Sequence, residues 1–146
     1  MDNIEKQIHE NFIKAFYDSI DETVNSKKPD NEWITRLYEE IKTRLLIYLK
    51  KGSKTYKGID ESFDVDLFKQ MITNDVFDSE SMIKLINNTF YWIEQIQAPI
   101  RDEFSKEAKE IVLSSEPNKI VSTFLKEVYK CLEYLDEDMY NYFEKK

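Results

Sequence analysis

The stretch Ala98-Pro99-Ile100-Arg101-Asp102-Glu103 places a guanidinium and two carboxylates directly after a proline. Proline fits the first turn of a helix, where its missing N–H costs nothing, and acids there favour the positive helix end. A cation in the same turn opposes the helix dipole, so Arg101 needs a partner of its own. The chemistry open to it is a charge-assisted, bidentate bond to a carboxylate. The acidic run over residues 60–66 offers Asp66 or Asp64, and Glu40 is the next candidate. The competing reading is an exposed Arg101 that anchors a protein partner.

Few other residues have the types and spacing that chemistry demands. A nucleophile requires a base and an orienting group, and the one histidine, His9, lies between Glu5 and Glu10 in a helical pattern. Cys131, with Val128, Leu132 and Leu135 as neighbours, reads as a small buried hydrophobe. One His and one Cys cannot build a zinc site. The acids Asp60, Glu61, Asp64 and Asp66 lack the central glycine and closing glutamate of a calcium loop, so helix capping accounts for them better. Two glycines leave no phosphate-cradling loop. Asp136 and Asp138 could do acid–base work as a pair, but on an acidic helix such groups are solvated. No catalytic residue, metal or cofactor is therefore expected.

Two features point to partners instead. Lys50, Lys51, Lys54 and Lys57 form a basic patch around Tyr56 in a chain of net charge −8. The patch can receive an acidic partner or a phosphate group, or simply be a solvated loop. Tyr129, Tyr134, Tyr140, Tyr142 and Phe143 outnumber what one helix face buries, which leaves some for core edges and some for a protein contact.

The bulk charge argues against nucleic acid and against an anionic membrane surface as partners. No apolar run approaches the roughly 20 residues a membrane span needs. The start, MDNIEKQIHENF, has neither the basic nor the apolar region of a signal peptide. A lone cysteine fits a reducing compartment, and the cytoplasm is the expected location.

The elements that must position these residues are helices. Residues 3–24 place Ile4, Ile8, Phe12, Phe16, Ile20 and Val24 four apart, one apolar face. Asn25 to Pro29 reads as a break. Asp30 or Asn31 caps a second helix carrying Trp33, Ile34, Leu37, Ile41, Leu45, Leu46 and Leu49, stopped by Gly52. Residues 52–59 read as a loop. Asp64 caps a short helix with Leu67, Phe68, Met71 and Ile72, and Asp78 or Ser79 caps the next, which runs to Ala98. Pro99 and Pro117 open the last two, the second reaching Phe143. With three prolines, two glycines and no strand pattern, the expectation is a single all-α domain over residues 1–146, a bundle of about six helices.

The order of these pieces resembles the T-complex protein 11 family. Its Pro-Asp, Trp, Leu and Glu-Ile-basic to Leu-Leu unit is matched by Pro29, Asp30, Trp33, Leu37, Glu40, Ile41, Lys42, Leu45 and Leu46. Asp64, Asp66, Leu67 and Gln70 match its next helix start. Its Cys-Ala-Pro-x-Arg-Asp-Glu-Glu motif is matched at Ala98, Pro99, Arg101, Asp102 and Glu103, with Gln97 in place of the cysteine and Phe104 in place of the last acid. Pro117, Leu125, Leu132, Asp138, Met139 and Asn141 resemble the closing helix. The similarity spans residues 29–143. It implies a helical, non-enzymatic protein-interaction or regulatory module linked to cyclic-AMP and protein kinase A signalling. Family members are usually longer, so the alternative reading is a self-associating structural protein that exposes a face and forms a homodimer through it.

Overall fold

The computed structural model describes residues 3–26 and 30–144, with the side chains of His9, Phe12 and Ile13 outside the description, as is Pro29 in the expected break. Among the described residues there are seven α-helices and no strand: α1 (Asn3–Val24), α2 (Asn31–Leu46), α3 (Lys54–Ser62), α4 (Val65–Thr73), α5 (Ser79–Ile96), α6 (Asp102–Leu113) and α7 (Ile120–Glu144). Short 3-10 turns, Pro99–Arg101 and Pro117–Lys119, lead into α6 and α7. No helix among the described residues is long and apolar enough to cross a membrane.

The caps lie where short polar side chains precede apolar runs. Asp30, Asp64 and Asp78 each accept from a backbone N–H three residues on, at 3.0, 3.0 and 2.9 Å, and so start α2, α4 and α5. Ser53 does the same for α3 at 3.2 Å. That helix corrects the expected loop over 52–59 and raises the count from six to seven. The Ser53 cap and one strict contact overcome the glycine: Gly58 lies under the Trp92 ring of α5, where a Cβ would collide. The indole is fixed there by Ser62 Oγ at 2.9 Å and Asn88 Oδ1 at 3.1 Å.

A second correction concerns the end of α2. It stops at Leu46, not at Gly52, which turns with φ 92° ahead of α3. The earlier stop lets Tyr48 turn its hydroxyl onto Asp136 at 2.7 Å.

The longest helix, α7, is the mast of the bundle. It buries Phe124, Leu125, Val128, Cys131, Leu132 and Leu135 against α6, α5 and α1. Opposite it, Tyr38 of α2 stacks flat on Phe68 of α4 with ring centroids 4.0 Å apart. Tyr38 also tilts onto Phe63 at 5.5 Å. Burial of large aromatic and branched side chains is the main stabilising term in such a core. It also lifts the Tyr38 phenol to about 12, with Asp64 adding to the shift.

Candidate interaction site around Arg101

Pro99 sets a tight turn in which the Arg101 N–H donates to the Ala98 carbonyl at 2.9 Å. Gln97, the residue before the motif, donates through Nε2 to Asp102 Oδ1 and Ser105 Oγ, both at 2.9 Å. It thereby ties the end of α5 to the first turn of α6. Held by this corner, the Arg101 side chain reaches α7 and meets Asp138: Nε donates to Oδ2 at 3.0 Å and Nη2 to Oδ1 at 2.8 Å. The bond is bidentate, as expected, but the partner is neither Asp66, Asp64 nor Glu40. Asp64 is engaged as the α4 cap and Asp66 is exposed in the same turn, on a helix that packs on α2 rather than on α6. Glu40 is exposed on α2, near Tyr129.

The guanidinium also lies 4.2 Å from the centroid of the Tyr134 ring, within cation–π range. Phe104, standing where the motif has an acid, meets that ring edge-on at 4.8 Å. Tyr134 and Asp138 are four residues apart and so share one face of α7. The cradle leaves about a quarter of each charged side chain exposed, and the guanidinium holds the Asp138 carboxyl below its ordinary value of 3.8.

Arg44 of α2 repeats the arrangement elsewhere on α7. Its Nη2 contacts Asp136 Oδ2 at 3.0 Å, and its guanidinium lies 5.7 Å from the Tyr129 ring centroid. The paired aspartates expected to be merely solvated therefore each hold an arginine.

A family model for T-complex protein 11 matches residues 1–143. The chain belongs to that family. The match includes α1, so it begins earlier than the resemblance over 29–143. No solved structure matches the chain.

Several family positions thus have a physical role here. Arg101 bonds Asp138, and Asp30 and Asp64 cap helices. Lys42 pairs with Asp60 at 3.0 Å, a use of the acidic run that its sequence did not single out. Asp102 lies in the first turn of α6 with Glu103, as the helix dipole favours.

The other candidates fall apart from this cradle. Lys50 and Lys51 lie in the turn after α2 and Lys54 and Lys57 on α3; all four are exposed, and none forms an ion pair among the described residues. Cys131 is buried, and desolvation pushes its thiol to about 12, with Glu127 adding to the shift, which makes it a poor nucleophile. Sequence reasoning missed Glu127 itself, a buried carboxylate whose Lys130 partner lies at 3.4 Å. Among the described residues no three acidic, His or Cys side chains gather to hold a metal ion.

Proposed function

We propose that this T-complex protein 11 family chain is a non-enzymatic interaction module with a regulatory role, acting in the cytoplasm on protein partners rather than on nucleic acid or membranes. The link to cyclic-AMP and protein kinase A signalling is part of the same reading and rests on the family resemblance. One observation carries the interaction role. Beyond Leu135 no residue of α7 is buried, yet the helix continues with Tyr140 at 65% and Phe143 at 60% exposure. On α1, Ile4 and Ile8 are 71% and 64% exposed.

The two helices run antiparallel. Asn25, just after α1, donates to the Asn118 carbonyl just before α7, and the Tyr17 phenol, raised first by burial, is raised further by nearby Glu133 and Glu127. The same register brings the first turns of α1 beside the last turns of α7. Apolar side chains at the joined ends of two amphipathic helices suit a protein contact, since exposed apolar patches mark such sites. The net charge of −8 weighs against a polyanionic partner.

The test is affinity capture from host lysate, alongside purified protein kinase A subunits, with wild type and a Tyr140→Ser/Phe143→Ser variant of matched melting temperature. A specific protein kept by wild type and lost by the variant supports the module. Capture that ignores the variant, or no capture at all, removes this surface from the reading. A second reading uses the same ends: two copies joining them about a two-fold axis. Light scattering distinguishes it, since a dimer mass that the double variant converts to monomer assigns the face to self-association.

A further inference from the structure

A cleft of about 290 Å³ opens where α1, α2 and α7 meet α4, α5 and the turn between them. Its walls are apolar, with Ile34, Leu37, Ile72, Phe77, Val121 and Phe124 among them. Two carboxylates, Asp75 and Asp78, lie in the lining, and no lysine or arginine does among the described residues. Asp78 is committed elsewhere: it accepts from the Ser81 backbone N–H at 2.9 Å and from Ser81 Oγ at 3.0 Å, which hold its carboxyl below the ordinary value. Asp75 is exposed to solvent where it lines the cleft, and its carboxylate forms no hydrogen bond or ion pair with protein among the described residues.

Asp75 is also an unfavourable residue for its own place in the backbone. It ends α4 in a Schellman arrangement, with Asp75 N–H donating to the Ile72 carbonyl at 3.2 Å and Val76 N–H to the Met71 carbonyl at 2.9 Å. The residue at that point takes the left-handed conformation, here φ 56°, and glycine is the usual occupant. Asp75 is the one non-glycine residue in that region among the described residues. Its negative charge also follows the C-terminal end of a helix, where the dipole favours a cation. Both penalties fall on the residue that brings a solvent-exposed charge without a protein partner to the edge of an apolar cleft, and strain of this kind collects at functional positions. A bound cation relieves the electrostatic one.

We propose that this cleft is a binding site for a small organic cation, an aryl- or alkyl-ammonium whose apolar body fills the cleft and whose N–H groups donate to Asp75. Walls supplied by five helices make a pocket rather than a long groove, so a compact molecule suits it better than a partner helix. Its volume lies at the low end for ligand sites, about right for one ring and a short chain. The proposal does not depend on the protein-partner reading, which uses the opposite ends of α1 and α7.

The experiment is an amide NMR titration of the full chain with phenethylammonium, 2-phenylethanol and 3-phenylpropionate, run on wild type, Asp75→Gly and Asp75→Asn. Phenethylammonium is expected to saturate with Kd at or below about 1 mM, at least tenfold tighter than the neutral and anionic analogues. The amides of Ile34, Ile72 and Val121 should shift. Asp75→Gly is expected to melt about 2–4 °C higher and yet lose that tenfold preference, as is Asp75→Asn, which keeps the shape. Equal binding of the three compounds, no saturable binding by about 10 mM, shifts outside the cleft, or a preference that survives both variants would overturn the proposal. So would a lower melting temperature for Asp75→Gly, because Asp75 would then be a structural residue. A Leu/Lys helical peptide that shifts the cleft amides while phenethylammonium does not would assign the cleft to a protein segment and equally overturn it.

Discussion

Arg101 and Asp138 join the corner after α5 to the far half of α7 through two parallel bonds, at 3.0 and 2.8 Å. A lysine cannot reproduce this, because one ammonium does not match both carboxylate oxygens and does not stack on Tyr134 as a planar guanidinium does. Arg101→Ala is expected to melt about 2–4 °C below wild type, and Arg101→Lys to recover less than half of that loss. Asp138→Asn combined with Arg101→Ala should cost less than the sum of the two single changes, because both remove the same interaction. Strict additivity in thermal melts would mean that the two side chains do not depend on each other.

The pair also sets a pH dependence. Asp138 has its folded pKa depressed by the Arg101 hydrogen bonds, below an ordinary value of 3.8. A depressed carboxylate contributes stability above its unfolded pKa and loses it as pH falls through the folded one. The gap in melting temperature between wild type and Asp138→Asn should therefore be full near about pH 6 and shrink steadily below about pH 4. A gap that widens toward acid would reverse the sign and contradict the pairing.

Much of this was legible in the sequence, and the parts that were not have physical reasons. Periodicity identified α1, α2, α4, α5, α6 and α7, since each has an apolar face, with a capping aspartate before α2, α4 and α5 and a proline turn before α6 and α7. Helix α3 was missed because Tyr56 and Ile59, its only large apolar residues, are too few to show a period, and because Gly58 looks like a breaker unless Trp92 is known to cover it. The need of Arg101 for a carboxylate followed from its place in a helix's first turn. Which carboxylate could not, because three-dimensional neighbours of a residue are not ordered by distance along the chain. The family-like motifs did not decide it, since Glu40, Asp64 and Asp66 match them as Asp138 does. Phe143 falls on the apolar spacing of the last helix and also among the surplus aromatics, and spacing alone does not tell which of these are left uncovered, as Phe143 is at 60% exposure.

Gly58→Ala tests the contact that positions α3. In an open helix this change adds stability, about 1 kcal/mol from propensity alone. Here the new Cβ would run into the Trp92 ring, which Ser62 and Asn88 hold in place. The expected net effect is a loss of about 1–3 kcal/mol by denaturant unfolding. The companion change Trp92→Phe leaves a smaller ring and should soften the penalty of the alanine. A stabilised Gly58→Ala would show that α3 is free to move off α5.

Alkali should unfold the protein through buried tyrosines. Burial raises the Tyr38 phenol to about 12, and burial together with Glu40 raises Tyr129 further. Each prefers its neutral form when folded, so its contribution is complete below the ordinary value of 10.0 and is lost as pH rises through the folded value. Absorbance of tyrosinate should rise in two stages, with exposed rings first and a later cooperative rise coincident with loss of helical circular dichroism. Tyr38→Phe keeps the stack on Phe68 and removes the ionisable group, so its unfolding should shift to higher pH. If Tyr38→Phe unfolds at the same pH as wild type, some other group governs the alkaline transition.

Cys131 supplies a clock for opening of the α7 core. Its thiol is buried and pushed to about 12 by desolvation first and Glu127 second, so in the native state it should resist alkylation at neutral pH. Modification then requires the core around Val128 and Leu132 to open, and its rate reports the free energy of that opening. Arg101→Ala weakens the strap that holds the far half of α7. The alkylation rate of Cys131 should therefore rise in that variant in proportion to its loss of global stability if α7 opens only with the whole fold. A larger rise than global stability accounts for would show that α7 detaches on its own once the Arg101–Asp138 bonds are gone.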